Sequence, residues 1–198
     1  MAEKKPIYTP VFTVSYPQVF TAKKNDLSGE DEYSVVALFK LGENLDVLKA
    51  AALEAVKKKW GEKESDWPNN LRKAFRDQIE LATKKNDKGE LIMPPGTTKG
   101  ALFIRLKSKQ KPGVLNAQAK PILDESEFYA GCKAIATVTC YAYDQKGNKG
   151  YAFGLSNLQK VGEGDRLSSR PKAEEEFAPI EGVAGEADGG PITAASIF

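Results

Sequence analysis

Alternating apolar and polar residues along extended segments constrain the fold of this chain more than any other feature. Residues 99–108 (KGALFIRLKS) alternate clearly, and residues 129–143 and 149–161 form two long segments joined through the turn DQKGNKG. Successive side chains of a β-strand point to opposite faces, so such segments are typical of strands with one face in the core. The pattern predicts a fold dominated by β-strands.

An earlier hairpin is predicted close to the start of the chain. Residues 10–20 and 33–40 are rich in β-branched and aromatic residues and flank the polar turn KNDLSGEDE. Pro17 cannot donate a hydrogen bond to a neighbouring strand, so it confines part of the first strand to an edge or a bulge. Together with the later strands, this hairpin indicates a small barrel or sandwich.

A helical insertion is predicted over about residues 45–83. Between Leu45 and Trp60, apolar residues recur at helical spacing. A second helix is predicted after Pro68, and residues 84–97 are predicted to form a loop. The fold class is therefore mainly β with helical insertions, an α+β fold. The apolar stripe of the second predicted helix consists of Leu71, Phe75, Ile79 and Ala82.

The C-terminal part of the chain differs in charge from the rest. Residues 173–198 contain six acidic residues and no basic ones, although the whole chain has a net charge of +2. Subtracting those six from the 27 Asp and Glu of the chain leaves 21 against 29 Lys and Arg, a net charge of +8 for residues 1–172. Residues 173–198 lack a sustained apolar period, which predicts a disordered acidic tail after a basic domain over residues 1–172.

The residues that the chain lacks narrow its chemistry. It has no histidine, which removes the commonest general base and the commonest metal ligand, and two cysteines alone do not build the usual zinc site. Cys132 and Cys140 lie eight residues apart in one predicted strand, about 26 Å along the chain and beyond disulfide reach. We expect two small buried thiols, no metal, no cofactor and no enzymatic activity.

The hydropathy pattern also bears on location. No apolar run approaches the roughly 20 residues that span a bilayer, and the first ten residues (MAEKKPIYTP) lack the apolar core of a signal peptide. We therefore expect a cytoplasmic protein without a membrane partner.

The alternating segment near residue 99 carries candidate binding residues. One of its faces is apolar and the other combines cations with an aromatic ring, which is the composition that single-stranded nucleic acid requires: cations for phosphates and a ring for base stacking. The alternative is a solvated charged face whose ring is covered by a neighbour. The candidates are Lys99, Phe103, Arg105, Lys107 and Lys109, with Lys111 in the following loop.

A second group of aromatic and basic residues lies on the last predicted hairpin. Glycine and alanine at residues 150, 152 and 154 favour close backbone packing on one face of its second strand. For each ring taken singly, a place in the core is the alternative to binding. The candidates are Lys133, Tyr141, Tyr143, Lys149, Tyr151 and Phe153.

Three arginines complete the candidate set. Arg72 and Arg76 are one turn apart on the second predicted helix and would share a face that can hold phosphates; a solvated face is the alternative. Arg170 follows two glycines and two serines in the segment VGEGDRLSSR, whose backbone N–H groups can hold a phosphate. That segment is neither GxGxxG nor a P-loop.

Residues 98–176 resemble a family of single-stranded-DNA-binding proteins from tailed bacteriophages, once catalogued as a domain of unknown function. The shared features are KSKQKPGV, the EFYAGC turn, CYAYDQKGNKG, GLSNLQKV and a GDRLSSR segment that leads into an acidic EEF. Upstream, TPVFTVSYPQVF and WPNNLRKAFRD are similar to the N-terminal half of the same family.

The resemblance implies an OB-like fold and sequence-independent binding of single-stranded DNA (ssDNA) in phage replication, recombination or repair, in the host cytoplasm. It also implies that the acidic tail, which ends in Phe198, docks replication or recombination proteins and competes with DNA for the basic groove. Homo-oligomerisation is expected, because cooperative association along the strand is common in this class.

Other functions fit parts of the same sequence. A strand-annealing or recombination-mediator protein also binds ssDNA but promotes pairing. A metal-dependent nuclease would use carboxylates such as Asp144, Asp124 or Glu125, which lie in predicted turns. A structural phage protein is the fourth alternative.

Overall fold

A computed structural model describes residues 6–25, 29–145 and 147–167. Arg170, the predicted boundary after residue 172 and the predicted tail over residues 173–198 lie outside the described residues. The elements in chain order are β1 (Ile7–Tyr8), β2 (Phe12–Lys24), β3 (Asp31–Leu38), α1 (Asp46–Trp60), β4 (Arg76–Asp77), β5 (Lys84–Lys85), β6 (Leu91–Ile92), β7 (Leu102–Ser108), β8 (Gly113–Leu115), β9 (Lys133–Gln145) and β10 (Asn148–Gly162).

Five long strands close into a barrel. Around the barrel the order is β9, β2, β3, β7 and β10, and β10 pairs again with β9. The contact between β7 and β10 is parallel, and the other four are antiparallel. Numbered along the chain, these strands have the order 1-2-3-5-4-1, which is the order of the five-stranded OB barrel. The predicted OB-like fold is confirmed.

The apolar residues of the alternating pattern fill the core of this barrel. Val35 and Ala37 of β3, Ile104 and Leu106 of β7, and the small residues of β9 point inward and are buried. Helix α1 covers the barrel with Leu48, Ala52 and Val56, all three buried, and contacts β1, β9 and β10. The first predicted helix and both predicted hairpins are therefore confirmed.

The second predicted helix is wrong. Residues 76–77 form the short strand β4 against β7, and Gln78–Leu81 form a single 3-10 turn. Phe75 packs its ring 5.6 Å from that of Phe153, between the starts of the parallel strands β7 and β10. Hydrogen bonds of this segment with β7 and with residues 149–151 replace those of a helix, so tertiary packing overrides the four-residue apolar spacing.

Two smaller predictions are also resolved. The pairing of β2 with β3 shifts register between Ser15 and Gln18, so Pro17 lies in a bulge as the sequence predicted, and Tyr16 before it has a φ of 45°. The loop predicted over residues 84–97 contains a small hairpin, formed by β5 and β6.

The two thiols differ in burial. Cys132 is buried just before β9, and Cys140 is half-buried within β9. Burial raises the pKa of the Cys132 thiol, which keeps it protonated and unreactive. Within the described ranges, no helix is long and apolar enough to cross a membrane.

Candidate nucleic-acid interface

The outer face of the barrel at β7 carries the residues that alternation predicted. Arg105 and Lys107 point away from the core, opposite to Ile104 and Leu106, and Arg105 is exposed. Their partners across the antiparallel ladder are Val36 and Ser34 of β3, respectively. These two strands are the second and third of the barrel, whose face binds oligonucleotides in OB folds.

Phe103 shares this face but is not available for stacking. Its exposed fraction is 0%, because Val36, Leu38 and Leu81 surround it and the Arg76 guanidinium lies 5.5 Å from the ring centroid. The alternative considered for this ring, a cover by neighbours, is therefore the correct one. The pattern around residue 103 does not show which neighbour covers the ring, because the cover comes from the turn at residues 78–81, where the sequence pattern predicts a helix.

Two lysines on this face are held by carboxylates. Lys107 Nζ donates to Glu32 Oε1 at 2.5 Å, and Lys109 Nζ lies 2.6 Å from Glu30 Oε2. Burial alone would raise the pKa of Glu32, but hydrogen bonds from Lys107 and Asn25 and the charges of Lys107 and Arg105 outweigh it, so the pKa is lowered below its ordinary 4.5. Glu32 is thus an anion in contact with Lys107 and within the field of Arg105.

A shallow groove of about 480 Å³ runs from these cations to β2. Tyr16 and Gln18 line it beside the β2 bulge, and Lys23 and Lys24 line it towards the end of that strand. Tyr16 is 57% exposed. Sequence reasoning missed these residues, although the bulge signal at Pro17 marks the point where the alternation of β2 breaks.

The last hairpin divides its aromatic residues between two faces. Phe153 is 1% exposed and belongs to the core, and Tyr151 is half-buried and packs against that core, so neither ring lies on the outer face. Tyr141 and Tyr143 lie on the opposite, outer face, where Tyr141 is 50% exposed. The two faces could be predicted from the period of two, but which of them points inward could not.

Glycines let the rings of Tyr141 and Tyr143, and the backbone at Arg72, approach the backbone of β10. A Cβ at Gly150 would lie 2.6 Å from the hydroxyl oxygen of Tyr143 and 2.7 Å from the carbonyl oxygen of Arg72. A Cβ at Gly154 would lie 3.7 Å from a ring carbon of Tyr141. The predicted close packing over this glycine-containing face is confirmed, and it brings Arg72 beside Tyr143.

The aromatic and basic parts of the outer face are contiguous. Gly154, beneath Tyr141, is the register partner of Lys107. Partial burial, and then repulsion by Tyr143, Cys140 and Glu32, raises the pKa of Tyr141, so the carboxylate bound to Lys107 also acts on this ring. We call this surface the basic band. It consists of Tyr143, Tyr141, Lys107, Arg105, Tyr16, Lys23 and Lys24.

The remaining predicted residues lie around the basic band or apart from it. Arg72 and Arg76 are four residues apart in an extended segment rather than on one helical turn, and Arg76 pairs with Glu80 at 2.5 Å. Lys149 pairs with Asp144 at 3.5 Å, and Lys133 Nζ donates to Thr13 Oγ1 at 2.7 Å. Three lysines close to β7 are exposed: Lys99 lies before the strand, and Lys109 and Lys111 follow it.

The strand order and the cations on the second and third barrel strands define an OB-fold protein with its basic face where OB folds bind oligonucleotides. The chain belongs to the family of the Enterobacter phage Enc34 ssDNA-binding protein, whose family model matches residues 5–188.

Individual relatives agree with this membership. The chain is 24% identical over 166 residues to protein p50 of Acyrthosiphon pisum secondary endosymbiont phage 1, which covers 78% of this chain and 82% of p50. The fold resembles that of the bacteriophage Enc34 ssDNA-binding protein in complex with ssDNA, with a TM-score of 0.63 and 17% identity over 84% of this chain and 91% of that chain. It also resembles gp2.5, an ssDNA-binding protein of bacteriophage T7, with a TM-score of 0.51 and 12% identity over 88% of this chain and all of that chain (100%).

Proposed function

We propose that this protein binds ssDNA along the basic band without strong sequence preference and protects it during phage DNA replication, recombination or repair in the host cytoplasm. The observation that carries the proposal is the contiguity of Tyr141 with Lys107 and Arg105 across the glycine of β10. Cations there face the phosphates, and the exposed rings stack on bases. Stacking and charge contacts use groups common to all four nucleotides, so the proposed binding is tolerant of sequence.

A fluorescence titration with an oligo-dT probe at about 50 and 200 mM salt tests this function, because phosphate contacts release counterions and binding must weaken with salt. The expected result is micromolar or tighter binding at the lower salt that falls steeply at the higher one. Absence of binding at the lower salt would overturn the proposal.

Strand annealing is the second candidate function, because a surface that holds bases by stacking can also present them for pairing. An annealing assay on complementary strands separates the two. A protector leaves the annealing rate unchanged or slows it, and an annealing protein accelerates it.

Binding without catalysis is part of the same proposal. Among the described residues, no group of three or more His, Cys, Asp or Glu is placed to hold a metal ion. Asp124 accepts a hydrogen bond from the backbone N–H of Ser126, and Asp144 pairs with Lys149, so both carboxylates have structural partners. Loss of intact ssDNA on incubation with Mg²⁺ or Mn²⁺ would contradict this part.

We propose that the acidic tail, residues 173–198, competes with ssDNA for the basic band and docks partner proteins. Leu167 packs against the buried group around Phe103, so the last described residue lies on the same outer face as Arg105. Six carboxylates in residues 173–198 would then compete with phosphates. Deletion of these residues is expected to leave the barrel folded and to raise ssDNA affinity slightly, with the difference vanishing at high salt; unchanged affinity at low salt would contradict the competition.

Self-association along bound ssDNA is also proposed, since cooperative binding is the norm for proteins that hold single strands in this way. Sedimentation velocity with and without a long oligo-dT distinguishes a protein that associates by itself from one that does so on DNA. A single protomer species in both conditions would contradict self-association.

A further inference from the structure

The hairpin of β5 and β6 stands outside the barrel. Lys84 pairs with Ile92 and Lys85 with Leu91, and every residue from 83 to 92 is exposed. A two-stranded hairpin without a covered face has little intrinsic stability in water. We call residues 84–92 the arm.

The root of the arm, residues 77–81 and 98–100, is held by several hydrogen bonds. The buried Gln78 side chain donates to the carbonyl oxygens of Phe39 and Leu102, at 2.8 and 2.9 Å, and accepts from the backbone N–H of Thr98 at 2.8 Å. Asp77 accepts from the backbone N–H of Gly100 at 3.2 Å. The chain segments that enter and leave the arm are thereby tied to each other and to β7.

The tip of the arm is equally well defined. Asn86 Oδ1 accepts from the backbone N–H groups of Lys88 and Glu90, at 3.0 and 2.9 Å, and its side-chain nitrogen donates to Glu90 Oε2 at 2.8 Å. Gly89 supplies the positive φ of 79° that the turn requires. An arm that is ordered before binding loses little conformational entropy when a ligand contacts it.

The root lies at one end of the basic band. Phe103 lies two residues before Arg105 on the outer face of β7. Leu81 covers its ring, and Arg76 lies over the same ring. The exposed Lys99 belongs to the returning segment of the root. A strand that follows the band past Arg105 and Arg76 therefore meets the arm.

The surface of the arm combines the two chemistries that ssDNA requires. Residues directly opposite in an antiparallel pair share a face, so one face carries Lys84 with Ile92 and the other carries Lys85 with Leu91. Each face thus offers an ammonium group for a phosphate beside an aliphatic surface for a base. Of the two carboxylates in the arm, that of Glu90 is engaged by Asn86 and that of Asp87 lies at the tip.

We propose that the arm is a second contact for ssDNA, which it reaches where the strand leaves the basic band, so that the binding site is longer than the barrel face alone. This inference rests on the proposed ssDNA binding. Even a fully extended chain from Lys84 to Lys88 would span only about 13 Å, so the added contact is limited to a short stretch of the DNA strand.

A length series of oligo-dT probes tests the arm. The variants are Lys84→Ala/Lys85→Ala and Leu91→Ser/Ile92→Ser, and the matched control is Lys49→Ala/Lys63→Ala, which removes two exposed lysines on and after α1. Short probes that fill only the band are expected to bind all variants like the original protein. With longer probes the original protein and the control should gain affinity that both arm variants lack.

Salt dependence gives a second readout that a folding defect would not mimic. On long probes the Lys84→Ala/Lys85→Ala variant should show a slope of log K against log salt that is smaller by about 1.4, at roughly 0.7 for each lost phosphate contact on a single strand. Equal length dependence and equal slope for the arm variants and the original protein would overturn the arm proposal, and would also be the result if the arm contacts a protein.

The same series separates this proposal from the proposed function. If Arg105→Ala/Lys107→Ala weakens binding at every probe length and the arm variants match the original protein, only the arm proposal fails. If the original protein binds no probe, the proposed function fails and the arm proposal falls with it.

Discussion

Lys107 Nζ donates to Glu32 Oε1 at 2.5 Å across the outer face of β3 and β7. Lys107 of the basic band is thus already bound to an anion in the free protein, and a phosphate must displace that anion or share the lysine with it. The adjacent Lys109 is held in the same way by Glu30. Before ssDNA binds, carboxylates therefore occupy two lysines of the surface that we propose for it.

Replacement of Glu32 by glutamine should strengthen ssDNA binding. It removes a negative charge beside Lys107 and Arg105. A partly exposed ion pair of this kind is worth up to about 1 kcal/mol, so the expected gain is up to about fivefold. Titration of an oligo-dT probe at low salt measures it. Glu64→Gln, at an exposed site in the turn after α1, is the control and should change nothing; weaker binding by Glu32→Gln would contradict the prediction.

The same pair makes stability depend on pH. Because the pKa of Glu32 is lower in the folded protein than its ordinary 4.5, the ionised carboxylate stabilises the fold above that value, and the contribution is lost as the pH falls through the lowered pKa. The difference in Tm between the original protein and Glu32→Gln should therefore be largest near neutral pH and vanish in acid. A difference in Tm that grows on acidification would show that the sign is wrong.

Tyr141 and Tyr143 should contribute by stacking rather than by their hydroxyl groups. Truncation of either ring to alanine is expected to weaken binding to oligo-dT by about 5- to 150-fold, which corresponds to about 1–3 kcal/mol per stacked base. The phenylalanine variants keep the ring and should bind like the original protein. If alanine and phenylalanine variants bind equally, the rings do not stack on bases.

One methyl group added at Gly150 of β10 should destabilise the protein, because Arg72 packs closely against this glycine. Alanine at Gly150 would place its Cβ 2.7 Å from the carbonyl oxygen of Arg72, so the segment that carries Phe75 must move. We expect a loss of about 1–3 kcal/mol in the free energy of unfolding, the usual cost of overpacking. Gly162→Ala is the matched control, because its nearest neighbour would be 3.7 Å away; equal denaturation midpoints for the two variants would contradict the prediction.

Much of the fold follows from patterns that are local in the sequence. The period of two places Arg105 and Lys107 opposite Ile104 and Leu106, and it places Tyr141 and Tyr143 on one face of β9, as the structure confirms. Such faces depend only on the direction of successive side chains in a strand. Local patterns therefore predicted the strands, helix α1 and the cations on the outer face.

The sequence predictions fail where packing against a segment from elsewhere in the chain, or a bulge, determines the position of a side chain. Phe103 is covered by Leu81 and Arg76, which arrive from another part of the chain, so no pattern around residue 103 reveals its burial. Phe75 has helical spacing with its apolar neighbours, yet it fills the opening between the parallel strands β7 and β10. Tyr16 reaches the groove because the bulge at Pro17 interrupts the alternation of β2, which a regular strand pattern cannot represent.

The most direct test of the basic band compares Arg105→Ala/Lys107→Ala with the control Lys49→Ala/Lys63→Ala in oligo-dT titrations over a range of salt concentrations. The band variant should lose on the order of tenfold or more in affinity at low salt, and its slope of log K against log salt should shrink by about 1.4 while the control keeps both values. Unchanged affinity and slope in a folded band variant, or equal losses in the control, would contradict the assignment of ssDNA binding to this face.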